Sequence, residues 1–259
     1  SYNLKLVADN EPIFEPWTLK TFPDPQSEVN NLSMMAFTCA GGGDGFKASG
    51  KEFFKPFKFR QKIFDEGLSK KPDFAISIGD HIYFDLRGEN FPPVGRNSKL
   101  IKFFVGGYLK LLYGVFNRSE SADSENNESI LKKVGNDQIA SLYGTKFKST
   151  PIFFIPDDHD YFENDDAEED LVTFPADDFS KGAFKKIADL FYPPLLDTLD
   201  NKPGRNTGRI RYGDAFEGLI ADCAGNMTLG DKKALLISDQ DEKWLLSRIE
   251  NSKAKHLAF

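Results

Sequence analysis

Short apolar runs and longer stretches at helical spacing alternate along this chain. Residues 32–38, 74–78 and 151–155 are near-continuous apolar runs bounded by Gly, Pro and charged residues, the pattern of buried strands. Residues 53–69 instead carry Phe57, Ile63, Phe64 and Leu68 at helical spacing, and Lys70-Lys71-Pro72-Asp73 breaks the repeat. Strand, Gly-rich turn, helix and strand in that order predict a βαβ unit with parallel strands and a right-handed crossover. Residues 86–150 are mostly helical in pattern, with a polar break at 119–129, and read as an insertion between two core strands. Further on, 183–190 predicts a helix, 201–208 a turn-rich loop, and 209–216, 217–222 and 234–237 strands. Residues 238–251 predict a helix capped by Ser238, with Asp241 and Glu242 favouring its N-terminal dipole and Trp244, Leu245 and Ile249 on its apolar face. Residues 255–259 read as a strand just starting, and no internal repeat is present.

Residues 1–30 differ from the rest. Short strand-like pieces at 4–7 and 17–22 are broken by Pro12, Pro16, Pro23 and Pro25, which suits a β-domain remnant or a linker ahead of a core at 31–259. The longest apolar stretch, 101–116, is interrupted by Lys102 and Lys110 and is too short to span a bilayer; it reads as a core helix. With 40% hydrophobic and 28% charged residues, the 259-residue chain can bury a sizeable core. A net charge of -7 argues against a nucleic-acid backbone as partner. The acidic residues crowd into 157–170, and the densest basic stretch, Lys47 to Lys62, reads as a solvated face. Two cysteines, Cys39 and Cys223, make no disulfide framework and leave the compartment open.

Two apolar runs break off into oxygen-rich clusters, and these carry the chemistry. The first ends in Gly79-Asp80-His81-Ile82-Tyr83, the second in Asp157-Asp158-His159-Asp160-Tyr161. In open α/β sheets, ligands bind at the carboxyl ends of strands. Gly79 permits a tight turn, and a residue three further on can swing back beside Asp80. A carboxylate with a phenolate suits a hard, highly charged cation. The plainer alternative is that Asp80 caps a helix and Tyr83 packs in the core. Three carboxylates and an imidazole in succession cannot all keep ordinary pKa values without a cation or strong hydration. A solvated acidic turn is the alternative there. His159 could protonate a leaving group or contact a phosphoryl oxygen. Cys39, at the first strand end, is a candidate thiolate ligand or simply a small hydrophobe. His81 reads as support or packing, His256 as structural, and Asp44 as able to reach the same site or only to shape the glycine turn. No Gly-x-Ser-x-Gly, Cys-x-x-Cys or P-loop pattern is present.

Taken together, Phe37-Thr38-Cys39, Gly79-Asp80-His81-Ile82-Tyr83, Asp157-Asp158-His159-Asp160 and Gln240-Asp241-Glu242-Lys243-Trp244-Leu245 resemble the alkaline phosphatase D-like branch of the calcineurin-like metallophosphoesterases. Order and spacing agree over roughly 18–259, and Leu19 to Pro23 looks like the end of the β-sandwich that precedes the core in that family. The resemblance implies a four-layer α/β/β/α sandwich. It also implies a metal-dependent phosphomonoesterase or phosphodiesterase in which metal-activated water or hydroxide attacks a phosphate ester. On that template Asp80 bridges metals, Tyr83 binds a ferric ion, and Cys39 is an iron ligand. Asp158 stands where relatives place a metal-binding Asn, and His159 sits by the leaving group. The centre is binuclear or larger, Fe(III) plus Ca, with Zn, Mn or Mg as alternatives. An extracytoplasmic location follows from the resemblance alone.

The chain also departs from that family. Asp160 replaces the usual Glu, Phe154-Ile155-Pro156 replaces a Trp, and Asp222-Cys223-Ala224 replaces Asp-Thr-Arg, removing an expected phosphate-binding Arg. The late Gly-Asp-x-His segment has no counterpart before Phe259. The core is therefore expected to be incomplete at its C-terminus, with a further chain segment completing the site. The alternative is a catalytically inactive metal- or calcium-binding module on the same fold.

Overall fold

The structure is a computed structural model that describes residues 1–41, 47–48, 51–52, 57–83, 111, 113–161, 177–192, 206–228 and 231–259. Near the N-terminus, β1 (Tyr2–Leu4) pairs antiparallel with β4 (Trp17–Leu19), and β2 (Val7–Ala8) with β3 (Glu11–Pro12). Next comes β5 (Met34–Phe37), then the small antiparallel pair β6 (Lys47–Ala48) and β7 (Lys51–Glu52). The Phe57–Ser69 helix leads into β8 (Phe74–Ile78), which runs parallel to β5 with Met34 opposite Phe74. β9 (Ile152–Ile155) joins the other side of β8, also parallel, with Ala75 opposite Ile152. The βαβ expectation is met, and β8 is the middle strand of this sheet.

A second sheet follows. β10 (Gly208–Tyr212) and β11 (Phe216–Ile220) form an antiparallel pair, and β12 (His256–Ala258) adds parallel to β11. Side chains alternate across a strand with period two, so each strand serves two layers. Phe74 and Ile76 of β8 and Phe153 and Ile155 of β9 meet Ile210, Tyr212, Phe216 and Ile220 of the second sheet. Their sheet-mates Met35, Phe37, Ala75, Ile152 and Phe154 turn the other way, onto the Phe57–Ser69, Glu125–Gly135 and Asp178–Phe191 helices. The far side of the second sheet offers Leu219 to Trp244 and Leu245 of the Asp239–Asn251 helix. Helices, sheet, sheet, helix is the α/β/β/α layering expected from the resemblance. Also on that far side, Glu217 is buried and accepts from Arg209, Arg211 and the Ser252 hydroxyl, so its charge is paired. Phe22, Val29 and Leu32 add to the core between the sheets.

The helices stop and start for local reasons. Ser124 caps the Glu125–Gly135 helix by accepting the Asn127 N–H, with Glu125 and Glu128 in its first turn and Lys132 and Lys133 in its last. The expected polar break at 119–129 therefore ends at Ser124: polar residues that begin this helix belong to it. The helix then runs into a π-helical turn, Asn136–Ala140. The expected helix at 183–190 spans Asp178–Phe191, because Asp177 caps a polar first turn that apolar spacing cannot reveal. Ser238 caps the last helix as expected, but Ile249 is exposed; of its apolar side chains, Trp244 and Leu245 are the buried ones. Residues 234–237 do not form a strand. Leu235 exchanges two hydrogen bonds with Thr228, while Leu235 and Leu236 stay exposed, so no buried face holds the segment extended. Of the expected insertion, 86–110 and 112 lie outside the described residues, as does the acidic stretch beyond Tyr161.

Phe74 is fully buried between the sheets and packs on Phe22, Phe153, Tyr212 and Phe216. Phe74→Ala is expected to cost about 3–5 kcal/mol of unfolding free energy by urea titration. A loss below about 1 kcal/mol would contradict packing of the sheets through this ring.

Candidate metal centre

The first strand end is built by unusual backbone. Gly79 (φ +72°) and Asp80 (φ +55°) follow β8 in the left-handed region, and Cys39 after β5 is there too (φ +54°). Non-glycine residues in that region cost about 1–3 kcal/mol each and persist only where their surroundings hold them. Here the backbone is stitched across the strand ends: Cys39 N–H donates to the Gly79 carbonyl, Gly41 N–H to the Asp80 carbonyl, and Gly79 N–H to the Ile155 carbonyl. A Cβ on Gly79 would lie 2.4 Å from that of Asp157, and one on Gly41 would lie 2.1 Å from the His81 carbonyl oxygen. Glycine at both positions is what lets the segments after β5, β8 and β9 approach.

This turn brings Asp80 beside its sequence neighbour Tyr83 and beside Cys39. Both the Cys39 thiol and the Tyr83 hydroxyl donate to Asp80 Oδ2, at 3.1 and 3.0 Å. Asp80 Oδ1 is buried and has no hydrogen-bond partner among the described residues. The 3-10 turn Asp158–Tyr161, after β9, supplies the other half. One ligand atom each from Asp80, Asp158 and His159 lie within 4.8 Å of one another. The Tyr83 ring lies over that of His159 with centroids 4.2 Å apart. Gln138, from the π-helical turn, holds the Tyr83 backbone N–H at 2.9 Å. Burial pushes Asp158 up to about 6, opposed by His159 and raised further by Asp157 and Asp80. Burial first, then Asp80 and Cys39, push the Tyr83 phenol well above its ordinary range.

All five candidates, Cys39, Asp80, Tyr83, Asp158 and His159, are thus neighbours, and Asp80 is the hub. His159 falls within the cluster of potential ligand atoms rather than apart from it. Asp160 does not. It is fully buried, and its carboxylate accepts the backbone N–H groups of His81, Ile82 and Asp157. Burial pushes its pKa well up, with those N–H donors opposing. His81 serves as support: its ring is buried, with Nδ1 bonded to the Ser77 hydroxyl and Nε2 to the Ile155 carbonyl, between Phe154 and Tyr192. Asp222 caps the one-turn Cys223–Asn226 helix and accepts from the Tyr161 hydroxyl and Asn206, so it is a structural anchor. His256 sits exposed on β12, and Asp44 lies outside the described residues. Gly41, Gln138 and Asn206 were not legible as contributors; only the glycine run after Cys39 pointed that way.

Helices, sheet, sheet and helix are layered in that order, with acidic groups at the adjoining ends of β8 and β9. No protein-family model and no curated protein matches the sequence. Among solved structures, one described as the structure of PhoD is similar over 95% of this chain, with a TM-score of 0.58 and 14% identity. The fold is therefore PhoD-like, and the chain spans 45% of that structure's chain. No helix among the described residues is long and apolar enough to cross a membrane.

Burial lowers His81 to about 4, with the Ile155 carbonyl and Asp80 opposing. The neutral ring is favoured by folding, so its contribution to stability is complete above the unfolded value of 6.5 and is lost as pH falls toward 4. Asp158, raised, contributes with the opposite sign between its ordinary range and about 6, so the global stability curve mixes the two. The imidazole proton signals of His81 should show no titration above about pH 5. A midpoint near the ordinary histidine value would contradict the buried, neutral assignment.

Proposed function

We propose that this chain carries the metal-binding core of a phosphoric ester hydrolase, acting on phosphomonoesters, phosphodiesters or both. One observation carries the reading. Asp80 Oδ1 is buried and unpartnered among the described residues, within the cluster that also contains Asp158 and His159. An unsatisfied buried carboxylate oxygen costs free energy unless something positive meets it. The donor set fits a cation: Asp80 and Asp158 would hold it, with His159 beside them and with Cys39 and Tyr83, already bonded to Asp80, able to ligate once deprotonated. Thiol and phenol suit ferric iron, and the carboxylates suit calcium or a similar hard ion, so a binuclear Fe(III)–Ca centre is the assignment proposed, with Zn, Mn or Mg as substitutes. Bound cations would neutralise phosphoryl charge and acidify a water molecule.

The chain's own groups then have distinct tasks. Asp80 presents a fixed carboxylate on a strained, over-determined turn. Tyr83 and Cys39 keep its Oδ2 in place. His159 has two ring nitrogens, and only one not engaged by a cation can deliver a proton to a leaving oxygen. Leaving-group protonation is the role proposed for it, supported by its half-buried place beside Tyr83.

The test is hydrolysis of aryl phosphate and bis-aryl phosphate by the purified chain supplied with Fe, Ca, Mn or Zn. Asp80→Ala should remove bound metal and at least about 100-fold of turnover. Unchanged metal content in that variant would remove Asp80 from the centre. His159→Asn should keep the metal and lose about 100- to 10,000-fold of turnover if it protonates the leaving group. Loss of metal instead would make it a ligand.

A further inference from the structure

We propose that Asp160 is the positioning residue of this centre, a carboxylate bolt that sets how far Asp80 lies from Asp158 and His159. The inference rests on the metal reading above. Its two oxygens divide the work. Oδ1 accepts the N–H groups of His81 and Ile82, at 2.9 and 3.0 Å, and Oδ2 accepts that of Asp157 at 3.0 Å. His81 follows Asp80 directly, and Asp157 directly precedes Asp158. One side chain therefore clamps backbone one residue from a ligand on each of two separate segments. It is 0% exposed and contributes no atom to the clustered ligands, so it acts through the backbone alone.

The chemistry explains why this position carries an acid. Three N–H donors converge on it, and a carboxylate offers acceptors on both sides. An amide of the same shape offers one acceptor and one donor. Asp160→Asn can keep the bonds to His81 and Ile82 through its oxygen, but then turns an NH₂ group toward the Asp157 N–H. The substitution thus opens the clamp on one side with almost no change in volume. A side chain that merely fills the core would not respond to this exchange in the same way.

Two measurements decide it. In the unaltered chain, the amide protons of His81, Ile82 and Asp157 should exchange with solvent through one common opening; separate opening free energies would overturn the proposal. Mn²⁺ binding, read by calorimetry, should weaken about 10- to 100-fold in Asp160→Asn, the range typical of residues that support ligands. Protection of amides in the Asp178–Phe191 helix should persist in that variant. Ile210→Val, a mild destabilisation in the second sheet, where Ile210 packs in the cluster between the sheets, should leave Mn²⁺ affinity within about twofold. Equal Mn²⁺ affinity in Asp160→Asn and the unaltered chain would overturn the proposal, as would an equal loss in both variants. If the unaltered chain binds no Mn²⁺, the metal reading falls, and the exchange result decides the clamp by itself. The same exchange result decides it if Asp160→Asn does not fold.

Discussion

Strand β8 is buried on both faces, and the geometry of the site is referenced to it. Phe74 and Ile76 enter the core between the sheets, while Ala75 and Ser77 face the helix side. Neither face can shift without disturbing a packed layer, and packed interiors resist displacement. The turn that follows inherits this rigidity. Asp80 can occupy a left-handed conformation because β8 and its parallel neighbours hold the backbone on each side, through bonds to Cys39, Gly41 and Ile155. The cost of that turn is met by packing well away from it.

Buried acids in this protein are treated in contrasting ways. Glu217 is answered by two arginines and a serine. Asp160 is answered by backbone N–H groups, and Asp222 by a tyrosine, an asparagine and a glycine N–H. Asp80 is answered on one oxygen only. Asp241, in the first turn of the Asp239–Asn251 helix, also keeps one buried oxygen unpartnered among the described residues, but of the two only Asp80 lies in a cluster of potential ligand atoms. A half-satisfied carboxylate at a strained turn is a group arranged for something other than stability.

Much of this was legible in the order of residues. Near-continuous apolar runs and the βαβ spacing lead to the parallel sheet, and acidic clusters after those runs mark the strand ends where Asp80, Tyr83, Asp158 and His159 meet. What was hidden depends on long-range partners. Residues 234–237 look like a strand, but the structure offers them no covering layer. Ile249 has the spacing of a buried residue yet faces away from the sheet. Asp160 resembles its acidic neighbours in composition, and only three-dimensional contacts separate a ligand candidate from a carboxylate that binds backbone. Gly41 and Gln138 lie far along the chain from the groups they support, so no local pattern could connect them.

The π-helical turn at Asn136–Ala140 has a consequence for how this protein can change. Its Gln138 side-chain oxygen Oε1 accepts the backbone N–H of Tyr83 across 55 positions of chain. Such turns amount to a single residue accommodated within a helix. Removing one residue there would restore ordinary winding and rotate everything on one side of it by about 100°, the angle per residue of an α-helix. Gln138 would then point away from Tyr83, while Ile130, Leu131 and Val134 kept their places in the core. Length variation among descendants of this sequence should therefore be tolerated in the turns just before Ser124 and just after Gly144, and purged between them.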